Sequence, residues 1–280
     1  MTDDHPPFSV LLPTYAGDDA GDLSVALESC FDQPLVPEEV LVVADGPLTD
    51  ELESTLSAWQ DRYPNIYRRY SLPENSGLGK ALREGVKACR NDLIARADAD
   101  DINVAGRFER QVTYLTEHPD IDIVGGYIAE FECDPDDPVT VREVPTDHDS
   151  IRRKARFRSP MNHGTVCFRR QAVLEAGNYR PVVRMEDYDL WVRMLLLGAS
   201  FANLPAVLVK VRAGPAMAAR RGGLEYARAE VKRQLEFYRR GFTSLPVFLF
   251  NLATRTVFRF LPNVVRSAIY RHVARRDVDG

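Results

Sequence analysis

At 280 residues, with 45% hydrophobic and 28% charged content, the chain has the make-up of an ordinary globular protein, with room for one large α/β domain or for one domain plus a helical extension. These figures exclude a disordered or fibrous chain. Four scattered cysteines (Cys30, Cys89, Cys133, Cys167) with no CxxC pair argue against a zinc site or a disulfide scaffold and for reduced, cytoplasmic thiols. The formal net charge of −5 hides an asymmetry: residues 1–211 carry 22 Lys and Arg against 36 Asp and Glu, and residues 212–276 carry 14 against 3.

The first residues, MTDDHPPFSV, hold two acids and no apolar centre, unlike a secretory signal. No stretch reaches the roughly 20 apolar residues that cross a bilayer. FSVLLP (8–13), an apolar run closed by proline, reads as a buried first strand, followed by a helical pattern from Asp22 to Phe31. EVLVVADG (39–46) reads as a second buried strand. A helix near 50–60, a strand IYRRY (66–70), a glycine-rich turn ENSGLG (74–79), a helix KALREGVKAC (80–89) and a strand DLIARAD (92–98) follow. This alternation predicts βαβ units and a mostly parallel sheet, whose ligands sit at the carboxyl ends of the strands. Three polar signals fall at those ends: Thr14-Tyr15, Asp45, and Asp98 to Asp101.

Downstream lie a helix near 106–117, the strands IDIVGGYIAEF (121–131) and VTVREV (139–144), a basic segment IRRKARFR (151–158) and a last strand AVLVKVR (206–212). DPDDP (134–138) reads as a solvated corner. In MEDYDLWVRMLLLG (185–198), Leu190, Trp191, Met194 and Leu195 mark the buried face of a helix. Glu186, Asp187 and Asp189 stand at its start, where the helix dipole favours acids in any protein.

IARADADDI (94–102) carries the most chemistry. In an extended segment Asp98 and Asp100 face the same way, with the small Ala99 turned elsewhere. Such oxygen donors suit Mg²⁺ or Mn²⁺, which share themselves with substrate phosphates. A calcium loop is excluded because Ile102 and Asn103 stand where it needs a ligand and a glycine. Taken alone the pattern is equally an acidic loop ahead of a helix. A strand ending in DxD also fits a dehalogenase-type phosphatase, although that motif belongs on the first strand.

SVLLPTY, LVVADGP, NSGLGKALREGV, IARADADD and EDYDLW stand in the order and spacing of glycosyltransferase family 2, which the chain resembles over about residues 8–212. IARADADDI followed by GRFERQVTYLTEHPDIDIVGG, and later NHGTVCFRR and AGNY, is similar to the bacterial surface-polysaccharide branch. The resemblance implies a GT-A fold, an α/β architecture with a mostly parallel central sheet flanked by helices. It also implies inverting transfer of a sugar from a nucleotide diphosphate, UDP in particular, to a saccharide or lipid-linked acceptor, with Mg²⁺ or Mn²⁺ as cofactor. Pro13, Thr14 and Tyr15 would border the nucleotide, Asp45 would bond the uracil, and Gly77 and Lys80 would lie near the nucleotide. Asp98 would sit at the ribose or the metal and Asp100 on the metal. Asp187 is the implied general base, with Glu186 orienting the acceptor or capping the helix. His163 matches a histidine on the acceptor side and reads equally well as a structural one. The Arg-x-His that commonly follows the last strand is broken here: Arg212 matches, and no histidine follows. A non-catalytic nucleotide-sugar-binding protein of this fold is the third reading.

The expected division is a catalytic domain over 1–215 and a basic helical extension over 216–280, with helices at 223–240 and 245–275. From Leu245 to Arg276 the sequence has six arginines and no acid, interleaved with aromatic residues. That pattern fits peripheral contact with the inner face of a cell membrane, a cap on the catalytic domain, or a homodimer interface. The acidic body and the lack of a recognition module argue against nucleic acid.

Overall fold

The computed structural model describes residues 5–182, 185–212, 224–260 and 276–277. The first half is a βαβ series: β1 (Phe8–Thr14), α1 (Ala20–Phe31), β2 (Glu39–Ala44), α2 (Asp50–Arg62), β3 (Tyr67–Ser71), α3 (Leu78–Ala88) and β4 (Leu93–Arg96). Strands β3, β2, β1 and β4 are neighbours in that order, all parallel. Because β1 lies between β2 and β4, the chain leaves it in both directions across the sheet. The crevice outside its carboxyl end is where such sheets bind ligands.

The second half adds β5 (Ile102–Asn103), α4 (Arg107–Glu117), β6 (Ile123–Phe131), β7 (Thr140–Arg142), α5 (His148–Ala155) and a 3₁₀ turn (His163–Thr165). It continues with β8 (Cys167–Arg169), α6 (Arg170–Glu175), α7 (Glu186–Leu196) and β9 (Phe201–Arg212). Here β8 is antiparallel to β4 and to β6, β7 is antiparallel to β6, and β9 runs parallel to β6. β9 is longer than the apolar run at 206–212, because β6 supplies partners from Ile123 to Phe131; one register shift absorbs Pro205 and Ala206, and a second absorbs Leu208. Only Thr140–Arg142 of the expected 139–144 strand pairs. At 134–138 the chain turns, with the Asp137 N–H on the Asp134 carbonyl at 3.1 Å.

Alternation along β1 explains the two cores. Val10 and Leu12 face α1, α2 and α4 with Leu23, Leu27, Leu52 and Phe108; Leu11 faces the opposite layer with Leu82, Val86, Leu190 and Trp191. Phe237 and Phe242 join this second core from the C-terminal region, where α8 (Leu224–Arg239) and α9 (Leu245–Phe260) follow. The rest of the helix expected to reach 275 lies outside the described residues. Residues Arg276–Asp277 form β10, antiparallel to β7. Among the described residues no helix is long and apolar enough to cross a membrane. Cys30, Cys89 and Cys167 are buried and free, and Cys133 is exposed and free.

Candidate active site

The carboxyl ends of β2, β1 and β4 lie side by side in the sheet, and the charges of Arg96 and Asp98 at the end of β4 act on Glu186 at the start of α7. At the end of β1, Pro13 and Thr14 are buried, and Tyr15 just beyond it is exposed. Asp18 closes this loop, accepting from the Thr14 hydroxyl at 2.9 Å and from the Tyr15 N–H at 3.0 Å. After β2, buried Asp45 accepts from the N–H groups of Ser76 at 2.7 Å and Gly77 at 2.8 Å. This carboxylate fixes the NSGLG turn, and Lys80 extends the network by donating to the Ser76 hydroxyl at 3.1 Å. Gly79 is needed for a different contact. A Cβ there would stand 2.4 Å from the Arg180 carbonyl oxygen, so its absence lets the segment around Arg180 press against α3.

A buried polar frame holds the end of β4. Arg107, inside α4, donates to the Arg96 carbonyl at 2.7 Å, to Gln111 Oε1 at 3.0 Å and to Asn103 Oδ1. Gln111 in turn donates to the Thr165 carbonyl at 2.7 Å. Burial lowers the Arg107 guanidinium to about 10, still charged at neutral pH. The turn bearing His163 and Gly164 is thereby pressed onto the acids: a Cβ on Gly164 would lie 3.0 Å from Asp98 Oδ2 and 3.3 Å from Asp101 Oδ2.

Arg96 occupies the centre. Its side chain is buried, donates from both terminal nitrogens to both oxygens of Asp98, and leaves Nε without a partner among the described residues. Its charge favours the ionised forms of Asp100 and Asp101 on one side and of Glu186 and Asp187 on the other. Sequence reasoning missed it because an arginine inside an apolar strand carries no motif.

Burial, together with the Asp98 and Asp18 charges, pushes the Asp100 carboxyl up to about 6. Asp101 is raised well above its ordinary value by burial and by the Asp98 and Asp100 charges, and accepts from the Arg212 N–H. Such crowding of carboxylates is relieved by a hard cation, and the all-oxygen donor set fits a divalent ion such as Mg²⁺ or Mn²⁺. Among the described residues no group of three or more His, Cys, Asp or Glu side chains is placed to hold a metal ion, so a bound ion would need ligands from phosphate and water.

Across the crevice, Glu186 and Asp187 begin α7. Glu186 is buried, and burial with the Asp187 charge pushes it up to about 7. Asp187 is raised by burial, against the pull of the Tyr188 N–H and of the Ser159 hydroxyl, which donates to its Oδ2 at 3.0 Å. Asp189 points away, into ion pairs with Arg193 and Arg233. His163 stands 3.0 Å from the Tyr179 hydroxyl through Nε2 and edge-on to Trp191. Burial and the Arg96 charge hold it well below the usual histidine range, so the imidazole is neutral. Arg212 pairs with Asp22 at 2.7 Å and lies over Phe131.

The chain is similar to several known proteins. A β1,3-galactosyltransferase of Escherichia coli, which uses UDP-Gal and α-D-GlcNAc-diphosphoundecaprenol, is 40% identical over 276 residues, covering 99% of each chain. The amylovoran biosynthesis glycosyltransferase AmsE of Erwinia amylovora is 36% identical over 266 residues, covering 94% of this chain and 97% of that protein. Among solved structures, the mannosyltransferase PcManGT of Pyrobaculum calidifontis, in complex with GDP-Man and Mn²⁺, superposes with a TM-score of 0.63 at 18% identity, covering 95% of this chain and 79% of that one. TarS of S. aureus (residues 1–349, with UDP-GlcNAc) gives 0.63 at 19% identity over 82% and 66%. Both are glycosyltransferases of the GT-A fold, so the expected architecture is present. The phosphatase reading is not favoured, since the DxD follows the fourth strand and the relatives are transferases. The sequence pattern of glycosyl transferase family 2 matches residues 9–177, and with these relatives it establishes that the chain belongs to that family of glycosyltransferases.

Proposed function

We propose that this glycosyltransferase moves a sugar, with inversion, from a UDP-sugar to a saccharide carried on a lipid diphosphate. The observation that carries the reading is the pair of carboxylate groups, Asp98 to Asp101 after β4 and Glu186 with Asp187 at the start of α7, gathered around the buried charge of Arg96, which acts on both. The donor and acceptor named for the Escherichia coli relative support UDP and a lipid diphosphate.

In this reading Thr14, Tyr15 and the turn held by Asp45, Gly77 and Lys80 receive the nucleotide. Asp100, with Asp98, would hold a divalent ion. When bound, that ion supplies positive charge to the leaving diphosphate. Asp187 takes the proton of the acceptor hydroxyl as that oxygen bonds to the anomeric carbon and the bond to the diphosphate breaks. Ser159 orients Asp187 for this step. Glu186 faces the acceptor, and neutral His163 with Tyr179 shapes that side of the crevice. The basic C-terminal helices keep the protein at the membrane that carries the acceptor. Residues 1–215 are the catalytic domain and 216–280 its extension.

The test is UDP release from a panel of UDP-sugars, with and without Mn²⁺, in the presence of a short-chain lipid diphosphate bearing one sugar. Metal-dependent, acceptor-dependent release from at least one donor is expected. Absence of release from every donor overturns the reading.

A further inference from the structure

On α9 the usual polarity of a surface helix is reversed. Asn251 faces inward, 2% exposed, and donates to the Arg156 carbonyl at 2.8 Å and to Gln234 Oε1 at 3.0 Å. The outward side carries Leu245, Leu249 and Phe250, 49%, 52% and 57% exposed. Phe157, 43% exposed, lies edge-on to Phe250 with ring centroids 6.1 Å apart, so the patch runs from α9 onto the segment after α5. A contiguous exposed apolar patch of this kind marks an interaction site.

The same segment supplies charge. Arg152, Arg153, Arg156 and Arg158 are exposed, Lys154 is half-buried beside them, and no acid lies between 152 and 158. Burial and the neighbouring Arg158 and Arg142 push the Lys154 ammonium down to about 8, a crowding of cations that an anionic partner relieves. Residues 1–211 are otherwise strongly acidic, so an anionic surface is attracted to this segment rather than to the rest of the catalytic body.

We propose that the outward face of α9 and the 152–158 segment together dock on an anionic lipid bilayer, with Leu245, Leu249, Phe250 and Phe157 entering the headgroup boundary and the arginines contacting lipid phosphates. A two-fold contact with a second copy fits less well, because it would set the same five basic residues against themselves. The docking also has a place in the reaction. The segment is tied to α7 by the Tyr188 hydroxyl, which donates to the Ala155 carbonyl at 2.6 Å, and by the contact of Ser159 with Asp187. The face therefore adjoins the acceptor side of the crevice. This placement rests on the proposed function; the docking itself is argued from the surface residues alone.

The experiment is co-sedimentation of the full chain, without nucleotide or acceptor, with vesicles of phosphatidylcholine alone or mixed with phosphatidylglycerol. Binding to the mixed vesicles that falls with salt, and little binding to neutral ones, is expected. The double variants L249E/F250E and R156E/R158E should each weaken binding by at least about tenfold, the scale set by losing two membrane contacts. Because these positions are exposed, their melting temperatures should stay at the wild-type value, and L249E/F250E should keep its UDP release with a water-soluble acceptor. Equal binding to both vesicle types, or double variants that bind like the wild type, overturns the proposal. So does a wild-type dimer that L249E/F250E dissociates while vesicle binding is unchanged. Vesicle binding needs no chemistry, so the transferase reading stands or falls separately in the UDP-release assay.

Discussion

Asp189 accepts from Arg233 across 2.5 Å, which fastens α7, the helix that begins with Glu186 and Asp187, to α8. Arg193 holds the other oxygen at 2.9 Å and also donates to the Asn178 carbonyl at 2.8 Å. Removing Arg233 leaves a buried carboxylate with half its partners. Arg233→Met should cost about 3 kcal/mol of stability in urea unfolding, the lower end for a broken buried pair, and Arg233→Lys should restore part of it. Since the pair also sets the position of α7, kcat should fall more than the affinity for UDP.

Asp187→Asn keeps the size of the side chain and removes the base. Transfer should drop by about 10²- to 10⁴-fold, the usual contribution of a general base. Calorimetric affinity for the UDP-sugar should be unchanged, and an equal loss of binding would make the residue structural.

Asp100→Ala should weaken Mn²⁺-dependent UDP binding by about 10- to 100-fold, the range for disturbing a metal's surroundings. Titration of UDP with and without Mn²⁺ reads this directly. An affinity that does not move would remove Asp100 from the metal's ligands.

Glu186 links stability to pH. Its carboxyl ionises at about 7 in the folded protein against 4.5 ordinarily, so between these values the folded state holds a proton that the unfolded state has lost. Stability from this group is therefore complete below pH 4.5 and declines as pH rises to 7, by about 3 kcal/mol in order of magnitude. Glu186→Gln should match the wild type near pH 4.5 and exceed it at pH 8 in urea unfolding.

Gly79→Ala places a methyl carbon 2.4 Å from the Arg180 carbonyl oxygen, between two backbones that cannot both stay. A destabilisation of about 1–3 kcal/mol is expected, as for other overpacked contacts. Turnover should fall as well, because the displaced segment leads into α7.

The βαβ half of the fold was legible because its strands are short apolar runs ended by Pro13, Asp45-Gly46 and the DxD, and each helix between them repeats its apolar face. The motif acids were legible for the same reason, standing at strand ends or at a helix start. The rest depends on contacts between residues far apart in sequence. Arg96 reads as one charge in an apolar strand until Asp98, Asp101 and Gly164 close around it. Asp18 reads as a loop acid until it takes the Thr14 hydroxyl. Asp187 and Asp189 are the same residue type two positions apart, and only their partners, Ser159 for one and two arginines for the other, separate a crevice-facing carboxylate from a structural one.

The cysteines give the molecule a native reporter of its own opening. Burial holds the thiols of Cys30, Cys89 and Cys167 up at about 12, and the thiolate is the form that reacts. An alkylating reagent at neutral pH should therefore mark Cys133 at once and the other three only when their surroundings unfold. Cys30 stands on α1, Cys89 at the end of α3 and Cys167 on β8, so the order in which they become marked would time the loosening of three separate layers. A dye on Cys133 would follow the intact protein with no substitution at all.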